Sequence, residues 1–215
     1  MKAQQVMGER YVACGSSGQT VVLEGTPGNA LGAYLDGTDI VLYGNAQDAT
    51  GDTMNDGSIT IHGNTGDAVG YAMRGGAIYV KGDAGYRAGI HMKQYKEKVP
   101  VLVIGGKCGS FLGEYQAGGL ILVLGIGVDG VPVGNFCGTG MHGGKIVLRT
   151  DTLPPDLPEQ VVAQPATDED FAEIRPYIHA YCERFGACEG AFEKEDFFVL
   201  RPNSGNPYHQ LYVPN

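Results

Sequence analysis

Two glycine strings in this chain have the spacing of a phosphate cradle. Gly125-Ile126-Gly127-Val128-Asp129-Gly130 and Gly138-Thr139-Gly140-Met141-His142-Gly143 both spell G-x-G-x-x-G. That pattern grips a pyrophosphate when a strand leads into it and a helix starts within it, so that free helix N–H groups face the phosphates. Neither string has this context. Val131-Pro132-Val133-Gly134-Asn135 follows the first and cannot start a helix, and the aliphatic run Ile146-Val147-Leu148 follows the second. Both strings read as by-products of a glycine-rich repeat.

The other chemistry-bearing residues fare no better as a site. His62, His91, His142, His179 and His209 show no ligand spacing. Cys14, Cys108, Cys137, Cys182 and Cys188 are odd in number and never form Cys-x-x-Cys, which points to reduced thiols, not a metal centre. Asp36, Asp39, Asp48, Asp52, Asp56, Asp67 and Asp83 fall mainly at bends, where a carboxylate bonds neighbouring backbone amides. Glycoside cleavage needs two carboxylates at a set separation across a groove, and spacing along the chain cannot supply that. No catalytic, cofactor-binding or metal-binding residue is therefore proposed.

The positions of these residues are set by a repeat. The glycine that closes each short β-branched run recurs at Gly25, Gly44, Gly63 and Gly82, three steps of 19, then after 23 at Gly105 and after 20 at Gly125. A fixed period of this length marks a solenoid. The runs are Val21–Glu24, Ile40–Tyr43, Ile59–His62, Ile78–Lys81, Val101–Ile104, Ile121–Leu124 and Ile146–Arg149. Their first and third members are aliphatic, whereas the second and fourth admit polar residues, as in a strand with one buried face. A second glycine column is Gly32, Gly51, Gly70, Gly89, Gly113 and Gly138, followed three residues later by Leu35, Met54, Met73, Met92, Gln116 and Met141. These glycines are the structural residues of the repeat, suited to bends of positive φ or to close packing of one turn on the next. The pattern predicts an all-β parallel β-helix of about seven turns over residues 1–150. Two insertions interrupt it, at Lys93–Lys98 and Ile126–Val133, and residues 1–18 read as a lead-in that must cover the first turn.

Composition agrees. The 215 residues include 35 glycines, and the formal charge of −9 argues against nucleic acid or an anionic membrane as partner. No apolar stretch is long enough to span a bilayer, and the first ten residues lack a signal-peptide core, so a cytoplasmic location is expected. Residues 151–215 form a second region. A proline-rich connector, Thr152–Pro158, leads to a helix that starts at Thr167, with Asp170 completing a capping box. Phe171, Ile174, Ile178, Cys182 and Phe185 make its apolar stripe, Gly186 ends it, and Pro176 predicts a kink or two helical pieces. The tail Asp196–Asn215, broken by three prolines, reads as an extended arm excluded from any central strand position.

The turns Gly25–Leu35, Gly44–Asp52 and Gly63–Gly82, the last with Arg74-Gly75-Gly76, resemble the GXGXG domain at the C-terminal end of the large subunit of glutamate synthase. The likeness is to the free-standing archaeal-type form and covers roughly residues 19–150, with the two insertions as departures. It implies a right-handed β-helix without catalytic residues, packed between a glutamine amidotransferase subunit and an FMN/iron–sulfur (ferredoxin-type) synthase subunit that makes glutamate from glutamine and 2-oxoglutarate. On that reading FMN and the clusters belong to the partners, and a homo-oligomer stays open. The same repeat occurs in the C-type subunit of formylmethanofuran dehydrogenase, which makes that enzyme, or a related molybdenum or tungsten enzyme, the alternative host. A carbohydrate-binding or carbohydrate-active β-helix is the third reading.

Overall fold

Eight short strands of the computed structural model pair in parallel, each with the next in the chain: β1 (Gln4–Met7), β2 (Thr20–Thr26), β3 (Asp36–Tyr43), β4 (Asp56–Ile61), β5 (Ala77–Val80), β6 (Val101–Ile104), β7 (Ala117–Val123) and β8 (Gly143–Arg149). The structure describes residues 3–187 and 189–203. This is the parallel β-solenoid that the period predicts. Its first strand comes earlier than expected, because Gln4 already pairs with Leu23 and the lead-in is itself a turn. A second, one-residue ladder joins Ala46, Thr65, Ala84, Cys108 and Val133.

Strand register corrects the count of steps. Val21, Ile40, Ile59 and Ile78 are stacked neighbours at 19-residue intervals. Ile78 then pairs with Leu102, a step of 24, Leu102 with Ile121 after 19, and Ile121 with Ile146 after 25. Gly105 is therefore not the counterpart of Gly82; Gly106 is, and its N–H donates to Gly82 O at 2.9 Å. It follows that Leu102 and Ile104 point into the solenoid, while Val101 and Val103 point outward. The first-and-third rule holds in the other runs and fails in this one. All four residues of β6 are aliphatic and buried, so alternation carries no information there.

The interior is mostly hydrocarbon, with Thr50 and Gln116 as buried polar members. Each turn contributes two strand residues, the residue before the motif glycine and the residue three after it, as with Ile78, Val80, Val69 and Met73, all fully buried. Gln116 is the exception in the methionine column. Its side-chain amide donates to the carbonyls of Gly118, Gly119 and Lys145, where β7 and β8 shift register. The polar side chain thus satisfies carbonyls that an irregular ladder leaves behind.

The sheet continues past Arg149. β10 (Phe197–Pro202) runs antiparallel to β8 and also pairs with β9 (Val161–Pro165). The tail therefore does supply a strand paired on both sides, against expectation. The stretch Phe197–Arg201 holds no proline, and Pro202 occupies only its last position. The rest of the expected arm, residues 204–215, lies outside the described residues. Between β9 and β10, helix α1 (Asp168–Phe185) begins at Thr167 with the predicted capping box and ends at Gly186, φ 69°. It is one helix across Pro176, not two pieces. Ile174 on one side of the proline and Ile178, Tyr181 and Cys182 on the other are buried, and this packing holds the helix together despite the missing N–H.

α1 lies on the outer face of β5–β8. Tyr79, Val103, Leu122, Leu124 and Val147 point outward there and form a second core with Ile174, Ile178 and Tyr181. Polar contacts fix both ends. Asp170 is paired with Arg201 and lies 3.7 Å from Lys145, while Tyr181 Oη donates to Lys81 O at 2.9 Å and Arg184 reaches Thr60.

Candidate functional site

One corner of the solenoid has an unusual backbone. Three residues per turn, two apart, take left-handed φ: Ala30, Gly32 and Tyr34; Ala49, Gly51 and Thr53; Ala68, Gly70 and Ala72; Arg87, Gly89 and His91; Phe111, Gly113 and Tyr115; Phe136, Gly138 and Gly140. In these six corners the middle member is one of the six predicted glycines, with φ between 64° and 73°, whereas the first corner, Tyr11, Ala13 and Gly15, has Ala13 in the middle at φ 55°. Most of these glycines face inward onto the strand of a later turn. A Cβ on Gly32, Gly51, Gly89 or Gly113 would come within 2.4–2.7 Å of the Cδ1 of Ile59, Ile78, Ile121 or Ile146 respectively. At Gly70 the nearest atom would be 3.8 Å away, so that glycine answers to conformation alone. The two flanking positions keep L side chains at a backbone cost of roughly 1–2 kcal/mol each.

From Arg87 onward the flanks other than Gly140 carry large side chains, which stack from turn to turn with one another and with the neighbouring Tyr71 and Tyr86. In one ladder Tyr86 meets Phe111 with ring centroids 5.3 Å apart, and Phe111 meets Phe136 at 4.9 Å. In the other, His91 lies between Tyr71 at 5.9 Å and Tyr115 at 5.2 Å. Arg87 joins them. Its guanidinium sits 4.8 Å from the Tyr86 ring centre and bonds Glu114 at 2.7 Å, a pairing that holds Arg87 above its usual range. The sequence hides most of this strip, because His91 and Tyr115 are 24 residues apart and Tyr86, Phe111 and Phe136 are spaced by 25, across the insertions.

The residues weighed earlier for chemistry do not converge. The Gly125–Gly130 loop lines an open cleft of about 610 Å³ with Arg149, Asp151, Glu195 and Asp196, so acidic groups outnumber the one cation. No helix follows this loop, and β8 follows Gly138–Gly143. Asp48, Asp67 and Asp83 accept the backbone N–H of Asp67, Tyr86 and Lys107 on the next turn, at 2.8–2.9 Å, as bend carboxylates should. Asn45 and Asn64 do the same for Asn64 and Asp83. Asp36 and Asp56 hold Lys98 of the first insertion at 3.5 and 3.0 Å.

His62 stacks on Tyr43 at 4.5 Å, and its pKa is lowered first by desolvation and then by Lys81. His179 pairs with Glu189 at 2.8 Å and with Glu183 at 3.4 Å, and its pKa is raised, above all by the Glu189 hydrogen bond. His142 lies by Gly140 O, while His209 and Cys188 lie outside the described residues. Cys108 and Cys137 are buried free thiols, and burial pushes the Cys137 thiol up to about 12. Among the described residues no three His, Cys, Asp or Glu side chains gather as a metal site, and no helix is long and apolar enough to cross a membrane.

A stack of parallel turns with left-handed corners, six of them with a glycine in the middle, defines a β-solenoid of the glycine-motif class. The chain belongs to the GXGXG motif family, whose profile matches residues 2–196. It is 43% identical over 221 residues to the uncharacterized protein MJ1350 of Methanocaldococcus jannaschii, a match that covers 99% of this chain and 85% of that protein. In fold it is similar to a chain of the formyltransferase/hydrolase complex (FhcABCD) from Methylorubrum extorquens, solved in complex with methylofuran. That likeness has a TM-score of 0.59 at 22% identity and covers 84% of this chain. It spans 63% of the length of the solved chain.

Proposed function

We propose that this chain is a non-catalytic structural subunit of a multi-subunit enzyme. The observation that carries the reading is the interior. The turns are filled mainly with buried aliphatic and methionine side chains, each contributing roughly 1.5–3 kcal/mol, so the solenoid is a rigid post whose use lies on its surface. Membership of the GXGXG family and a fold shared with a chain of an enzyme complex support the same reading.

Two hosts fit. A formylmethanofuran dehydrogenase-type complex is favoured by the fold shared with a chain of the formyltransferase/hydrolase complex, and the comparisons support this host more than the other. A glutamate synthase-type complex is favoured by the Gly25–Leu35 turn. In that case the partners are a glutamine amidotransferase subunit and an FMN/iron–sulfur synthase subunit, which carry the cofactors.

Native purification of the tagged chain from its host, with mass spectrometry and flavin, iron, molybdenum and tungsten analysis, separates the two. Co-purifying molybdenum or tungsten selects the first host, and FMN with glutaminase activity selects the second. A chain that migrates alone in native extract would sink the subunit reading altogether.

A further inference from the structure

Five cations among the described residues are half-buried: Lys145, Arg149, Arg184, Lys194 and Arg201. Four of them meet a carboxylate, Lys145 at Glu173, Arg149 at Asp196, Lys194 at Asp168 and Arg201 at Asp170. Arg184 meets none among the described residues. Its Nε donates to the Thr60 hydroxyl at 3.2 Å and its Nη1 to Ala180 O at 3.0 Å, while the guanidinium lies 4.2 Å from the centre of the Tyr79 ring. Nη2 has no partner among the described residues. The backbone dipole favours a cation in the last turn of a helix. It does not account for a guanidinium drawn partly out of water, stacked on a ring and left without a counter-ion.

Arg184 walls a groove of about 390 Å³ where α1 ends over β3 and β4. Val41, Ser58 and Thr60 form the floor, and His62, stacked on Tyr43, closes one side. Thr60 is only 5% exposed, and its oxygen accepts from Arg184, which leaves its own O–H proton to donate. We propose that this groove is a binding site for a carboxylate, held in the fork of Arg184 and by the Thr60 hydroxyl. The surrounding charges set the class of ligand. Asp39 stands at the edge of the groove, but its carboxylate accepts the Ser58 O–H at 2.5 Å and forms no ion pair with Arg184. Glu183 turns away to His179, and Lys81 acts on His62, whose pKa desolvation lowers so that the ring is neutral at neutral pH. One cation facing one acid across a small groove suits a planar monoanion, which the guanidinium fork meets with two parallel bonds, over a doubly charged phosphate or sulfate. A small-molecule acid and an acidic side chain of a partner both present this group.

Two arms test the site and separate the sources. In the first, the backbone amide signals of Thr60 and His62 are followed by NMR in the purified full chain during titration with acetate, succinate and sulfate at constant ionic strength in chloride buffer. The site predicts saturation by a carboxylate. Binding should weaken about tenfold in Arg184→Lys, which keeps the charge and loses the fork, weaken several-fold in Thr60→Val, and tighten in Asp39→Asn. Thermal melting verifies the fold of each variant. In the second arm the complex is taken from native extract on tagged Arg184→Lys chain. Carbodiimide, which joins amines to carboxylates, should couple the amine introduced at position 184 to an aspartate or glutamate of the partner, a link that wild type cannot give. Saturation in the first arm assigns a small-molecule carboxylate, and the position-184 link without such saturation assigns a partner's side chain. Sulfate bound as tightly as a carboxylate, folded variants that bind as wild type does, or neither saturation nor link overturns the site. A chain that recovers no partner yet saturates with a carboxylate overturns the subunit reading and leaves the site standing.

Discussion

Strands β2–β4 and β6–β8 are the same element in two settings. On β2–β4 the outward residues Glu24, Asp39 and Tyr43 are exposed, and Thr60 is buried where Arg184 reaches it. On β6–β8 the outward residues are Val101, Val103, Leu120, Leu122, Leu124 and Val147, sealed beneath α1. The inward residues are alike in both. The two halves share one interior, and the helix is paired with a particular half of the sheet by the second apolar face written into the late strands.

The largest effects should come from charges placed in either core. Val80→Asp and Leu122→Asp both bury an unpaired carboxylate and should each cost several kcal/mol. Val41→Asp, on the open half, should cost far less. Denaturant melts of the three sharpen the contrast, and equal losses at Leu122 and Val41 would break it.

The corner offers a second contrast. Gly89→Ala meets Ile121 Cδ1 at 2.4 Å in addition to its left-handed backbone, whereas Gly70→Ala meets nothing closer than 3.8 Å. The first should lose roughly 2–4 kcal/mol, and the second about 1 kcal/mol.

A smaller effect tests how the helix is held. Burial of Asp170 opposes its charge, but hydrogen bonds from Thr167 and the Arg201 guanidinium outweigh it and lower its pKa. A carboxylate with a lowered folded pKa adds stability above the ordinary carboxylate range, and this is lost as pH falls through the folded value. Asp170→Asn should therefore melt below wild type at neutral pH, with the gap closing in acid. A gap independent of pH would remove the charge from the account. Least of all, Lys81→Ala on the exposed side should shift stability by no more than about 0.5 kcal/mol.

What the sequence makes legible is what is local. The six glycines, the capping box at Thr167 and the stop at Gly186 each follow from a few neighbouring residues, and the structure carries all of them. What it hides is what depends on pairing across turns. The register of Val101–Ile104 is invisible because both faces are apolar, and β10 is obscured by the prolines that follow Arg201. The aromatic strip is hidden because two insertions break the period that would align it.

The claim on which all of this depends is that the solenoid supports chemistry performed elsewhere. Titrating the purified chain with FMN by calorimetry, with glutaminase and formyl-transfer assays on the same sample, tests it most directly. The account predicts a flat titration and no turnover, whereas saturable flavin binding or activity in the isolated chain would contradict it.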